Sequence, residues 1–231
     1  MLNNNYILKT AFFSLIIQII IGIIGIYGIF IPLSDKNAIL TDILIMETVV
    51  QFIELSFYIW LVLQLKHLAY EVTYTRYFDW FLSTPIMLIT TVLFMKYLSS
   101  VNNVNDETIV TVKSVIKEHL TPIVKIIVAN FFMLLFGFLA EIKKISRTNG
   151  FIFGTFGLLY SFYTIYAHFV DNILINKILF YSMFIIWFIY GIAFLFPYVI
   201  KNTFYNFLDI FSKNFYGLFL VIFIMKKAKY F

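Results

Sequence analysis

The chain contains no cysteine, which excludes disulfides and thiolate metal sites. Charge is scarce as well: 13% of residues are charged, against roughly 25% in a soluble domain of this size. With 62% hydrophobic residues and a mean hydropathy of +0.93, the composition excludes an ordinary soluble fold. Polar and apolar residues do not alternate as in a membrane barrel strand. The chain has no internal repeat and no stretch that reads as a separate soluble domain. His67, His119 and His168 have no ligand spacing and each lies near the end of an apolar run, so no metal site is expected. The basic residues that produce the net charge of +5 are scattered around run ends, which argues against nucleic acid and for membrane topology.

What is present is a series of seven apolar runs: 6–31, 39–65, 77–98, 120–142, 151–170, 178–200 and 203–225. Runs of about 20 residues are long enough to cross a bilayer as helices. The predicted fold is an all-α membrane protein, a seven-transmembrane-helix bundle in which residues 1–231 form one domain. The linkers are short except for 99–119, where Asn102, Asn103, Asn105, Asp106 and Glu107 mark a solvated loop. No short cleavable segment precedes the first run, so that run is expected to be retained as a span. Seven spans place the termini on opposite sides. Lys226, Lys227 and Lys229 favour a cytoplasmic C-terminus and an extracellular N-terminus, although Lys143, Lys144 and Arg147 then face outside.

Lys213 lies near the middle of the last run, where an ammonium costs at least about 2.5–3.5 kcal/mol. Asp209, four residues earlier, shares its helix face and is the obvious partner. A buried structural ion pair would explain these two residues alone. Arg76 and Asp79 at the start of the third run add a second carboxylate and another cation at membrane depth, and so favour a counter-ion complex.

The segment Arg76-Tyr77-Phe78-Asp79-Trp80 with Ser83-Thr84-Pro85, and the segment Asp209-Ile210-Phe211-Ser212-Lys213, resemble the third- and seventh-helix signatures of the microbial (type 1) rhodopsins. Asn130-Phe131-Phe132-Met133 with Gly137 fits the family's fourth helix, and Trp187 with Tyr190 its sixth. Gly191 and Phe194 depart from the more usual proline and tryptophan there. The resemblance covers essentially the whole chain and implies all-trans-retinal held as a protonated Schiff base on Lys213.

It further implies that Asp79 is the principal counter-ion and first proton acceptor, Asp209 the second carboxylate, and Arg76 the cation that balances the pair. Trp80 and Trp187 would sandwich the polyene, with Thr84, Met87, Met133, Gly137, Tyr190 and Phe194 completing the wall and Gly157 and Ser161 as tuning positions. A low-dielectric site makes sense of these residue types, because a buried cation needs an anion within a few ångströms to stay protonated.

The resemblance implies transport rather than catalysis, so the chain is not expected to be an enzyme. A lipid bilayer and small cations or protons are its expected partners, and a homo-oligomer stays open. Outward proton pumps of the family place a second carboxylate in the third helix, where this chain has Thr90, and Lys201 falls where many carry a glutamate for proton release. In the second run Glu47, Gln51 and Glu54 form a polar stripe at helical spacing. Ser14 and Gln18 in the first run and Asn206 and Asn214 in the seventh would complete a hydrated path. Ser14, Glu54 and Asn214 match the central gate of channelrhodopsins, with Glu47 in an inner constriction. The pattern looks most like the viral rhodopsins of group 1. The preferred reading is a light-gated cation channel; an outward proton pump is the alternative, and a sensory photoreceptor a lesser third.

Overall fold

A computed structural model describes residues 4–65, 72–102 and 109–228. Apart from short 3-10 turns, the described residues form eight helices and no strand. These are α1 (Asn5–Ile29), α2 (Ala38–Gln64), α3 (Arg76–Asn102), α4 (Val112–Glu118), α5 (Leu120–Glu141), α6 (Arg147–Phe169), α7 (Leu174–Phe194) and α8 (Tyr198–Lys227). Six of the long helices are apolar enough to cross a membrane. The remaining one, α2, has 27 residues, about 40 Å at 1.5 Å per residue. Seven long helices thus correspond to the seven runs, and α4 is a short extra turn before the fourth span.

The bundle turns its apolar side chains outward as well as inward. Phe12, Phe52, Phe78, Phe131, Phe156 and Ile185 are among the exposed side chains, as expected where the surrounding solvent is lipid. The polar residues Ser14, Gln18, Glu47, Gln51, Glu54, Arg76, Asp209 and Asn214 are all buried. Burial is uneven among the spans: 67% of the apolar window of the α3 segment is covered, against 28% for α1. The third helix is therefore the one around which the others assemble.

Local sequence explains the breaks. The sixth run was expected to extend over 178–200, but α7 stops at Phe194 and Pro197 is the N-cap of α8. Proline has no N–H to continue a helix and its fixed φ suits a helix start, so the apolar run hides a turn. In the expected loop 99–119, α3 continues to Asn102, and Thr111 forms a capping box with Ser114 at the start of α4. Asn103, Asn105, Asp106 and Glu107 lie outside the described residues, as do His67 and Lys229.

Close approach of α6 to α5 depends on glycine. A Cβ on Gly157 would stand 2.7 Å from the Ala129 carbonyl oxygen and 2.8 Å from the Met133 nitrogen. Gly157 is consequently a packing position between two helices, and Ser161 bonds the Ile126 carbonyl at 3.3 Å on the same side. Neither lines the central cavity described below.

Two irregularities shape the interior. Pro85 lies inside α3, where it removes a backbone donor; the preceding Thr84 hydroxyl donates to the Trp80 carbonyl at 2.8 Å. In α8, Ile210–Asn214 forms a wide π turn closed by the Phe215 N–H on the Ile210 carbonyl. Single π turns are frequent at functional sites.

Candidate functional site

A cavity lies among α3, α5, α6, α7 and α8. All nine positions expected to contact the cofactor line it: Trp80, Thr84, Met87, Met133, Gly137, Trp187, Tyr190, Phe194 and Lys213. Its long walls are apolar, with the lysine, Tyr190 and Ser212 converging at one end. Two of its glycines allow close packing in its wall. A Cβ on Gly137 would come within 2.5 Å of the Tyr77 hydroxyl, and one on Gly150 would meet Ala140 at 2.6 Å. Asn130 of α5 donates to Thr84 of α3 at 2.8 Å and fixes one side of the cavity. A flat apolar slot ending at an amine suits a long polyene aldehyde joined to a lysine, so the residues fit retinal.

The wide turn of α8 decides which carboxylate the lysine meets. On a regular helix Lys213 and Asp209 would stack as i,i+4 neighbours. Here the Lys213 Nζ is 2.7 Å from Asp79 Oδ2 of α3 and 3.9 Å from Asp209 Oδ1. The obvious partner by spacing is thus the more distant one, because a π turn holds more residues than an α turn and shifts the face.

Asp209 is instead the centre of a second cluster. Its Oδ2 accepts from Tyr58 at 2.7 Å and from Arg76 Nη1 at 3.4 Å, and its Oδ1 accepts from Tyr190 at 2.6 Å. Arg76 also donates to Asn202 at 3.0 Å and makes a short hydrogen bond to Asn206. The guanidinium lies 5.5 Å from the Phe57 ring centre and 5.7 Å from those of Tyr58 and Tyr205, within cation–π range. Asn206 reaches α1 through the Ile7 carbonyl and Thr10. Expected as a path residue, it belongs to the Arg76 cluster and not to the group around Glu54.

The structure joins four of the other expected path residues. Gln18 donates to Ser14 at 3.0 Å and to Glu54 Oε1 at 3.3 Å, while Asn214 donates to Glu54 Oε2 at 3.3 Å. Three helices therefore meet at one buried carboxylate. Glu47 stands apart, joined by a short hydrogen bond to Thr90. Elsewhere in the bundle, Lys201 of α8 forms a close ion pair with Glu141 of α5, at 2.6 and 2.8 Å.

Several site residues had no place in the sequence reading. Tyr58 follows Glu54 by four residues on the same α2 stripe, and Asn202 precedes Asn206 by four on α8, so helical spacing could have found both. Gly150, Phe151, Gly154, Thr155 and Leu158 of α6 also line the cavity, and no residue type distinguishes them in an apolar run. Among the described residues no group of histidines and carboxylates could hold a metal ion.

Residues 9–227 match the family model described as bacteriorhodopsin-like protein. Among solved structures, the viral rhodopsin OLPVRII is similar at 28% identity, covering 95% of this chain and 98% of its own, with a TM-score of 0.81. The proton-pumping rhodopsin AR2 from the marine alga Acetabularia acetabulum shares the fold at 18% identity, with coverages of 94% and 93% and a TM-score of 0.68. Bromide-bound halorhodopsin from Halobacterium salinarum does so at 15% identity, with coverages of 98% and 96% and a TM-score of 0.73. No curated protein sequence matches the chain. A family match over nearly the whole chain, on a bundle that brings an intramembrane lysine to the end of an apolar slot, makes this a multi-pass membrane protein of the bacteriorhodopsin-like family, which binds retinal through a Schiff-base lysine.

Proposed function

We propose that the protein is a light-gated cation channel in which residues 1–231 act as one retinal-binding unit and Lys213 carries the cofactor. The observation that carries this reading is the three-helix group at Glu54, where Gln18 of α1 and Asn214 of α8 both hold the carboxylate. Bound at Lys213, retinal supplies a light-driven change of shape beside the counter-ions.

The remaining steps belong to the chain. Asp79 Oδ2, at 2.7 Å, is the nearest base to Lys213 Nζ and accepts its proton. Asp209 is already committed to Tyr58, Tyr190 and Arg76, which makes it the lesser acceptor. Arg76 balances the two carboxylates. Lys213 and Asn214 are successive residues of the same wide turn, so displacement of one moves the other. The Asn214–Glu54 and Gln18–Glu54 bonds are both 3.3 Å long, at the weak end of the hydrogen-bond range. Their rupture opens a passage lined by Ser14, Gln18, Glu54 and Asn214 toward Glu47. Lys226 and Lys227 support a cytoplasmic C-terminus and an extracellular N-terminus.

Voltage clamp of cells expressing the pigment tests the reading. A pore passes cations down their gradient, so the photocurrent should reverse sign with voltage and its reversal potential should follow the permeant cation. Outward current at every accessible voltage, independent of the cation gradients, would identify an outward proton pump instead.

A further inference from the structure

Gln51 stands on the inner stripe of α2 between Glu47 and Glu54, about one turn from each. Its side chain is buried, with 3% exposure. Even so, neither its amide oxygen nor its amide nitrogen has a hydrogen-bond partner among the described residues. Of the other buried amides, Gln18, Asn130, Asn176 and Asn214 each leave only the oxygen unpaired, while Asn202 and Asn206 have both ends bonded. Gln51 leaves both.

The space around this amide is created by absent side chains on two helices. A Cβ on Gly25 of α1 would lie 3.3 Å from Gln51 Oε1, and one on Gly22 would lie 4.0 Å from it. On the other side, a Cβ on Gly217 of α8 would collide with Nε2. Buried polar groups without partners are rare and costly, and an apolar side chain of the same length would fill this position without that cost. Packing therefore gives no reason for glutamine here. An amide carbonyl is a good ligand for a hard cation, and neutral carbonyls bind ions weakly enough to release them.

We propose that Gln51 is the selectivity-determining contact of the ion path, its Oε1 coordinating a partly dehydrated monovalent cation between the Glu54 and Glu47 carboxylates. This rests on the channel reading above. Gly25 and Gly217 act as positioning residues, because only without a Cβ can α1 and α8 pack against the two sides of the amide.

Wild type, Gln51→Met and Gln51→Glu, each expressed with all-trans-retinal, are compared by current per pigment and by reversal potentials in sodium, potassium and calcium gradients. Gln51 does not line the retinal cavity, so both variants should keep the absorption band in place. Gln51→Met should lower the current per pigment about tenfold, the loss expected for one missing polar contact, and shift the sodium–potassium reversal difference. Gln51→Glu should conserve shape and favour calcium over sodium. Wild-type current and unchanged reversal potentials in Gln51→Met would overturn the assignment while leaving the channel intact. Should Gln51→Met form no pigment, Gln51→Glu decides: shifted reversal potentials support the contact and unshifted ones refute it. A wild-type current that never reverses removes the channel reading and the Gln51 contact with it.

Discussion

Lys213 Nζ is 2.7 Å from Asp79 on α3 but 3.9 Å from Asp209 on its own helix. The two carboxylates thereby take different tasks. Asp79 has one oxygen on the lysine and the other without a partner among the described residues. Both oxygens of Asp209 are engaged by tyrosines and Arg76.

The assignment of Lys213 predicts that Lys213→Ala, supplied with all-trans-retinal, shows no visible absorption band. A coloured pigment from this variant, bleached by hydroxylamine, would move the cofactor linkage to another amine.

Removing the nearer anion should matter more for colour than removing the farther one. Asp79→Asn is expected to shift the absorption maximum to the red, because the positive charge at Lys213 loses its closest counter-charge. Asp209→Asn should shift the band less, while lowering the temperature at which the pigment bleaches, since it frees Arg76 and Tyr58 from their anchor. Equal spectral shifts, or the reverse order, would exchange the roles of the two carboxylates.

Lys201 and Glu141 form a close pair whose side chains are 0% and 4% exposed. Breaking a buried pair from one side leaves an uncompensated charge and costs about 3–5 kcal/mol, whereas replacing both partners by apolar groups costs far less. Lys201→Met should therefore lower the thermal bleaching midpoint sharply, and adding Glu141→Leu should restore most of it. Additive losses in the double variant would show that the pair is not coupled.

Asp171, in the turn between α6 and α7, responds to pH. Partial burial raises its carboxyl pKa, but hydrogen bonds from Ser99, the Ile173 N–H and Asn176 outweigh burial and hold it below the usual value. A group whose pKa is depressed on folding stabilises the protein above its unfolded pKa, about 3.9, and the contribution fades as pH falls through the folded value. The bleaching midpoint of the wild type should fall below about pH 4 by more than that of Asp171→Asn. Parallel curves would remove this turn from the acid response.

The spans were legible because bilayer thickness imposes runs of about 20 apolar residues, and a buried polar side chain in such a run is rare enough to stand out. That is how Lys213, Asp79, Glu54 and the other interior groups could be found before their contacts were known. Three things were hidden. Pro197 sits within an apolar stretch, so hydropathy alone ran the sixth span past the turn it makes. Helical spacing pointed Lys213 to Asp209, because the wide turn leaves no mark in Ile210-Phe211-Ser212-Lys213-Asn214; Asp79 as principal counter-ion came from the family resemblance. The Tyr205 ring that faces Arg76 was hidden for another reason: with 16 tyrosines in the chain, residue type alone could not select it, and it lacks the polar stripe that marks Tyr58.

The wide turn in α8 also carries a register. Each residue added to a regular helix rotates everything beyond it by about 100°, so the turn at Ile210–Asn214 acts as a local spacer between two faces that must aim differently. Before it, Asn202, Asn206 and Asp209 are directed at Arg76; after it, Gly217 meets Gln51. Deleting one residue between Asp209 and Lys213 would convert the wide turn to an ordinary one and largely keep this aim, whereas deleting one from the regular helix on either side would swing one face round by about 100°. Loss of one residue should accordingly be tolerated better among Ile210, Phe211 and Ser212 than elsewhere in the last span, although nothing in their hydropathy sets them apart.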